Sequence, residues 1–306
     1  MSGAQPAAVH VERREIIVPA GGAERVRIDN PLGRVQVRGW NRRGEIHIVA
    51  DKRSPTREGI DRLRVHYTAW QSGEIQIDAR VELGGRERSL PLTGSGVDLL
   101  IELPPELEVA AKTFAGDVSV SGVDAGAHLE TTGGRIGVSQ VRGSVVTRQL
   151  RGGQTVVGVD GDIDLDGIEG DMHLRQLVGG RVDARLVDGS IRAENIRSRW
   201  VRLRSTTGEV VFVGLVIPGG RYDMRSYAGA VRFAPDPGSP AFELWVRSPQ
   251  SVDSVPALRD LVRQGETLRA VHAGGRPSSS LSSSDGSGRA LVELSSMLGR
   301  VSIQPR

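Results

Sequence analysis

The sequence predicts an all-β protein wound as a single-stranded parallel β-solenoid (β-helix), with about three short strands per coil and irregular β caps at both ends. Three observations carry that expectation. A short phrase recurs between Gly116 and Phe233, a glycine and a polar residue followed by apolar residues at alternate positions. It reads Gly116-Asp-Val-Ser-Val120, Gly134-Arg-Ile-Gly-Val138, Gly161-Asp-Ile-Asp-Leu165, Gly170-Asp-Met-His-Leu174, Gly189-Ser-Ile-Arg-Ala193, Gly208-Glu-Val-Val-Phe212 and Gly229-Ala-Val-Arg-Phe233. Alternate apolar positions line one face of a strand, and the glycine supplies the tight turn before it. Next, hydrophobic residues make up 38% of the chain, but aromatics only 4%. An interior of Val, Ile, Leu and Ala suits thin, regular layers. Finally, the phrase has a spacing of its own. Starting glycines fall at 126, 134, 143, 153, 161, 170, 180 and 189, with steps of 8, 9 and 10 taken twice over and then 9. Gly126 to Gly153 and Gly153 to Gly180 share one offset of 27 (153−126, 180−153), and Arg148-Gln-Leu150 returns at that offset as Arg175-Gln-Leu177. Three strands per unit of that length would stack in parallel, about 4.8 Å apart.

Taken in order, Val9–Val18, Arg25–Ile28, Gly33–Arg38 and Glu45–Val49 alternate apolar with charged residues between Gly, Pro and Asn breaks, and read as short strands. Residues Arg57 to Leu63 suit one helical turn or a loop. Period-two alternation resumes at Val65 and Tyr67 and again at Ile75, Ile77, Ala79 and Val81, before a polar break from Gly84 to Ser95. Val97–Leu103 is a nearly unbroken apolar run, stopped by Pro104-Pro105, which donates nothing to a ladder. Leu107, Val109 and Ala111 lead into the repeat. In it, Ile163 and Leu165 are expected to point inward and stack on Ile136 and Val138. Around Ser254 to Gln264, a capping Ser, Pro256 in the first turn and Gly265 beyond the end suggest a short helix. Ala290–Leu294 and Gly299–Ile303 repeat the phrase, so the chain there is expected to rejoin the stack. The domain expectation is an N-terminal β segment and cap over 1–95, a solenoid core over 96–239, and C-terminal strands over 240–306 with a Ser/Gly-rich loop at 274–288.

Composition bounds function loosely. Net charge is +3, and Lys52 and Lys112 are the sole lysines beside many arginines. Acids and bases are interspersed, so no nucleic-acid partner is implied. Absence of cysteine excludes disulfides and thiolate chemistry. No apolar run is long enough for a signal peptide or membrane span, so the expected location is cytoplasmic, with the cell envelope as the alternative.

Several stretches resemble the bacterial β-strand-repeat family of unknown function that carries the name putative adhesin. The likeness is carried by Val26-Arg-Ile-Asp-Asn-Pro-Leu-Gly-Arg-Val-Gln-Val-Arg-Gly-Trp40, by Ile101-Glu-Leu-Pro-Pro105 leading to Thr113-Phe-Ala-Gly-Asp-Val118, and by Leu294-Ser-Ser-Met-Leu-Gly-Arg-Val-Ser-Ile303. The resemblance implies a β-solenoid without catalytic residues to carry over.

Asp160, Asp162, Asp164 and Asp166 form the sharpest local cluster, four carboxylates along one strand face. On a flat strand they stand about 7 Å apart, too far for a shared hard cation. At the expected coil offset Arg135 lies beside Asp162 and Arg192 falls near Asp164, which makes a cross-coil ion ladder. Arg148, Arg175, Arg202 and Arg204 are expected to project from one face as a basic stripe able to meet phosphate or an acidic glycan. The histidines are scattered, the Gly-Gly pairs fail the calcium-roll pattern, and no nucleophile or dinucleotide motif appears. No catalytic residue, metal or cofactor is therefore expected. Asp162, Asp164, Asp166, Arg148, Arg175, Arg192, Arg202 and Arg204 stand as candidate binding residues. The favoured function is a non-enzymatic scaffold or adhesin-like interaction protein whose flat faces bind a protein, a glycan or another copy. Alternatives are a polysaccharide lyase or hydrolase using Asp162, Asp164 and Arg192, and an Arg-mediated anion binder.

Overall fold

The computed structural model describes residues 9–41, 44–70, 72–82, 94–249, 252–253, 258–264, 267–272 and 289–304. Those residues are all-β apart from one short helix, and most strand pairs beyond Val81 are parallel. The chain divides into two compact units, residues 1–137 and 138–306.

The first unit holds β1 (His10–Pro19), β2 (Arg25–Asp29), β3 (Val35–Gly39), β4 (Glu45–Ser54), helix α1 (Arg57–Arg62), β5 (Leu63–Ala69), β6 (Glu74–Val81), β7 (Gly96–Leu103), β8 (Glu108–Ala115), β9 (Val118–Ser121) and β10 (Ala127–Gly133). They form two rows. One runs β5–β6–β2–β8–β10 and the other β1–β4–β7–β3–β9. The outer pairs β5/β6, β1/β4 and β4/β7 are antiparallel, and the inner ones parallel. Alternation works as the sequence implies: Val26 and Ile28, Val35 and Val37, Ile46 and Ile48, and Leu99 and Ile101 are all buried. Helix α1 starts where Thr56 Oγ1 accepts from Gly59 N at 3.0 Å, and it turns Ile60 into the core.

β11 (Ile136–Arg142) crosses the boundary into the second unit. That unit contains β12 (Val145–Arg151), β13 (Gln154–Asp160), β14 (Ile163–Glu169), β15 (Met172–Asp188), β16 (Ile191–Ser205), β17 (Val210–Gly214), β18 (Arg221–Ser226), β19 (Val231–Pro235), β20 (Phe242–Arg247), β21 (Val252–Asp253), β22 (Leu258–Gln264), β23 (Thr267–His272), β24 (Ala290–Ser296) and β25 (Val301–Ile303). Again there are two rows. The first is β12–β14–β15–β16–β18–β24–β20–β23–β22, using the C-terminal halves of β15 and β16. Their N-terminal halves serve the second row, β13–β15–β16–β17–β19–β25–β21.

The pairing step corrects the expected three strands per coil. Val145 faces Ile163 and Gln154 faces Met172, a step of 18 in both cases (163−145, 172−154), and the next steps are 19 (182−163, 191−172). Each step contributes one strand to each row. Because both rows use the same Gly-polar-apolar phrase, a strand recurs twice per step, and the recurrence at an offset of 27 is one and a half steps. Ile163 and Leu165 do point inward, yet they stack on Val145 and Thr147 rather than Ile136 and Val138.

At one corner the stacking demands glycine. Gly170 and Gly189 have φ of +127° and +131°, and a Cβ on either would collide with the carbonyl of the glycine one layer away, Gly152 or Gly170. The aliphatic interior gives way to rings toward β20, where Phe212, Phe233 and Phe242 follow one another at 5.6 and 5.8 Å between centroids. The expected return of the final segment is met: β24 and β25 pair in parallel with β18 and β19. The expected helix is corrected, because residues 258–264 form β22, antiparallel to β23. Ladder bonds to β23 satisfy that backbone and override the local capping pattern. Residues 254–257, the serine-rich 274–288 and most of the 84–95 break lie outside the described residues.

Candidate functional site

The outward face of the first row in the second unit carries a grid of charges set by strand register. Asp164 and Asp166 on β14 lie against Asp183 and Arg185 on β15; these lie against Arg202 and Arg204 on β16, and those against Asp223 and Arg225 on β18. Cross-strand neighbours stand close enough for ion pairing at every step. Arg148 reaches Asp164 at 3.4 Å and Asp166 at 2.9 Å, and Arg185 reaches Asp164 at 2.9 Å, Asp166 at 3.1 Å and Asp183 at 3.6 Å. Asp183 is fully buried, and Arg181 holds it at 2.8 Å. Further along, Arg204 and Arg225 grip Asp223 at 2.8 and 2.6 Å, and Arg225 also meets Glu293 at 3.5 Å. Partial burial alone would lower the pKa of Arg185, but the charges of Asp183, Asp166 and Asp164 outweigh it and raise the value. Trp200 lies between Arg181 and Arg202, whose guanidinium carbons sit 4.2 and 4.3 Å from its ring centroid.

The corners use polar side chains differently. Asp162 accepts from the backbone N–H groups of Gly180 and Arg181 at 3.1 and 2.9 Å, and Asp171 accepts from Ser190 N at 2.8 Å. In the first unit Asp117 does the same for Arg135 N at 2.8 Å. A buried serine brackets three other corners: Ser205, Ser226 and Ser296 donate to Gly189, Gly208 and Gly229 carbonyls at 2.8, 2.8 and 2.9 Å. Each also accepts from the N–H of the next glycine along, Gly208, Gly229 or Gly299, at 3.0, 2.9 and 2.9 Å. These oxygens satisfy backbone groups that the turns would otherwise strand.

Beside the grid runs a groove of about 690 Å³. Arg185, Arg204, Arg225 and Arg247 form one wall. Their register is continuous, with Ser295 of β24 between Arg225 and Arg247. Leu186, Ser205 and Ser226 lie along the floor, and the exposed corner side chains Val187, Thr206, Tyr227 and Met297 make the opposite wall. Four strand steps separate Arg185 from Arg247, about 19 Å at the usual spacing. Arg247 is exposed and makes no ion pair among the described residues, whereas the other three share their charge with the grid.

The structure separates the sequence candidates. Arg148, Asp164, Asp166, Arg202 and Arg204 share the charged face. Asp162 stands at a corner, tied to backbone. Arg175 and Arg192 lie in the other row, paired with Glu194 at 3.6 and 2.6 Å, so Arg192 is not beside Asp164 and Arg175 is not in the stripe. The cause is the extra half-step in the offset that separates the sequence repeats. Likewise Arg135 meets Asp117, not Asp162. Sequence reading missed Arg185, Arg225 and Arg247. A signal was present for the first two: Arg148, Arg185, Arg204 and Arg225 each stand four places before a corner glycine, at 152, 189, 208 and 229.

No family model matches this chain, and no curated protein matches it. Among solved structures, a "putative cell adhesion protein" from Clostridium sporogenes is 11% identical, with 97% of this chain and 100% of that one covered, at a TM-score of 0.26. A "putative lipid binding protein" from Parabacteroides distasonis is 10% identical, with 96% of each chain covered, at a TM-score of 0.46. Likeness at this level transfers neither ligand nor partner. No helix among the described residues is long and apolar enough to cross a membrane.

Proposed function

We propose that this protein is a non-enzymatic interaction scaffold, a β-solenoid with two strands per coil, whose second unit binds an extended acidic glycan along the arginine-walled groove. The observation that carries the reading is the unbroken register of Arg185, Arg204 and Arg225, continued by Arg247, opposite the exposed ring of Tyr227. Guanidinium forks suit carboxylate and sulfate groups on a polymer, and an apolar wall suits the hydrophobic faces of sugar rings. Long, open and shallow, the groove favours a chain over a compact small molecule. The carboxylates proposed for glycan cleavage support this binding reading instead, since Asp164 and Asp166 are held by Arg148 and Arg185, and Asp162 by backbone amides.

The test is titration calorimetry of the full chain with polygalacturonate, heparin and neutral dextran at several salt concentrations. Binding to the acidic polymers alone is expected, weakening steeply with salt. The paired replacement Arg225→Ser with Arg247→Ser should reduce affinity at least tenfold, while Arg192→Ser, on the other row, should leave it unchanged. Equal loss in both variants, or equal binding to dextran, would refute the assignment.

A further inference from the structure

β1 is a long strand at the margin of the first unit, and among the described residues its only strand partner is β4. Among the described residues its other side presents unpaired backbone N–H and C=O groups, the usual template for adding a strand. Side chains alternate across it: Val18 is buried and Ile16 half-buried on one face, while Val11, Arg13, Glu15 and Ile17 project outward. Val11 and Ile17 are 65% and 56% exposed, which is unusual for apolar residues on a strand that carries its own charges. Charges on an edge normally repel a second strand. Here their order is apolar, positive, negative, apolar, and that order complements itself when reversed.

We propose that β1 pairs antiparallel with β1 of a second copy, forming a two-fold symmetric dimer independent of the groove in the second unit. With Arg14 on the axis, Val11 of each copy faces Ile17 of the other, and Arg13 faces Glu15, so the apolar contact and the ion pair each occur twice. Moving the axis to Arg13 sets Arg13 against its copy, and moving it to Glu15 sets Glu15 against its copy. On the outward face the pattern therefore selects the Arg14 axis, since the Arg13 axis also sets Val11 against Glu15; on the other face the Arg13 axis would set Glu12 against Arg14, but Lys52 already holds Glu12. Arg14 meets its own copy at the axis, on the opposite face, where Glu12 of each chain lies on the diagonal. On its own chain Glu12 already feels the charge of Arg14. Lys52, buried on β4, holds Glu12 at 3.0 Å and so fixes β1 in place as a platform.

Light scattering on the full chain from about 1 to about 100 μM tests this, because an added strand pair gives a concentration-dependent dimer. Arg13→Glu alone sets Glu against Glu and should weaken the dimer at least tenfold; Glu15→Arg alone should do the same. The double variant Arg13→Glu with Glu15→Arg restores the pairing with signs exchanged and should recover the wild-type constant. Since the chain has no cysteine, Arg14→Cys should also form a disulfide-linked dimer under mild oxidation, while Val9→Cys should not. A monomer throughout, a dimer untouched by the single reversals, or failure of the double variant to recover in protein whose circular dichroism is unchanged would each overturn the proposal.

Discussion

Lys52 is 2% exposed on β4, and its Nζ reaches Glu12 Oε1 at 3.0 Å, so among the described residues one carboxylate balances a buried ammonium. The hydrogen bond and charge of Lys52 hold the Glu12 carboxyl below its ordinary value of 4.5, against a smaller opposing push from desolvation. A depressed folded pKa means stability present above the unfolded value and lost as pH falls through the folded one. Glu12→Gln should therefore destabilise the first unit at neutral pH, by at most about 3 kcal/mol because Glu12 is only half-buried. The difference from wild type should shrink below about pH 4.5, as read from urea midpoints at pH 7 and pH 3. Pairing Glu12→Gln with Lys52→Met should recover most of the loss. In the second unit, Ser226→Ala leaves both Gly208 O and Gly229 N without their partner and should cost about 1–2 kcal/mol. Ser295→Ala, whose side chain brackets no corner, should cost less than half of that, and chemical denaturation of both variants compares them.

Glycine columns govern the strands as elements. Gly170→Ala drives a methyl into the carbonyl of Gly152, a backbone atom that has no rotamer to escape by, and should lower the melting temperature by more than about 5 °C or abolish folding. Gly21→Ala, with open space around it, should move the midpoint by less than about 1 °C; differential scanning calorimetry reads both. These columns also mark what was legible in the sequence. Alternation at Val26 and Ile28, or at Ile163 and Leu165, exposes strand faces directly, because burial of every second side chain leaves a period of two. Layer count is harder to read. Ile163 and Met172 belong to different rows yet follow the same opening phrase, so its recurrence is equally compatible with two or three strands per step until hydrogen bonds assign partners. Misjudging that number displaced Arg175 and Arg192 onto the charged face and hid Arg185. The paired carboxylates were visible as a cluster, but whether an aspartate caps a turn, as Asp162 does, or binds arginines, as Asp166 does, depends on a neighbour one full layer away along the chain.

At the scale of the molecule, neither unit stacks its strands simply in chain order. In the second, β24 lies between β18 and β20, and β25 between β19 and β21. In the first, β2 lies between β6 and β8, and β3 between β7 and β9. Removing residues 289–306 should thus strip partners from β18, β19 and β20 together and yield soluble aggregates instead of a slightly shorter protein, as size-exclusion chromatography would reveal. Vectorial synthesis meets this topology awkwardly. While the nascent chain emerges, β18 and β20 exist well before the segment that will separate them, so they must either wait apart or pair prematurely and reopen. Completion of the second unit is for that reason tied to the ribosome having passed residue 303, and expression tags or trims placed there act on an inner layer, not on a fringe.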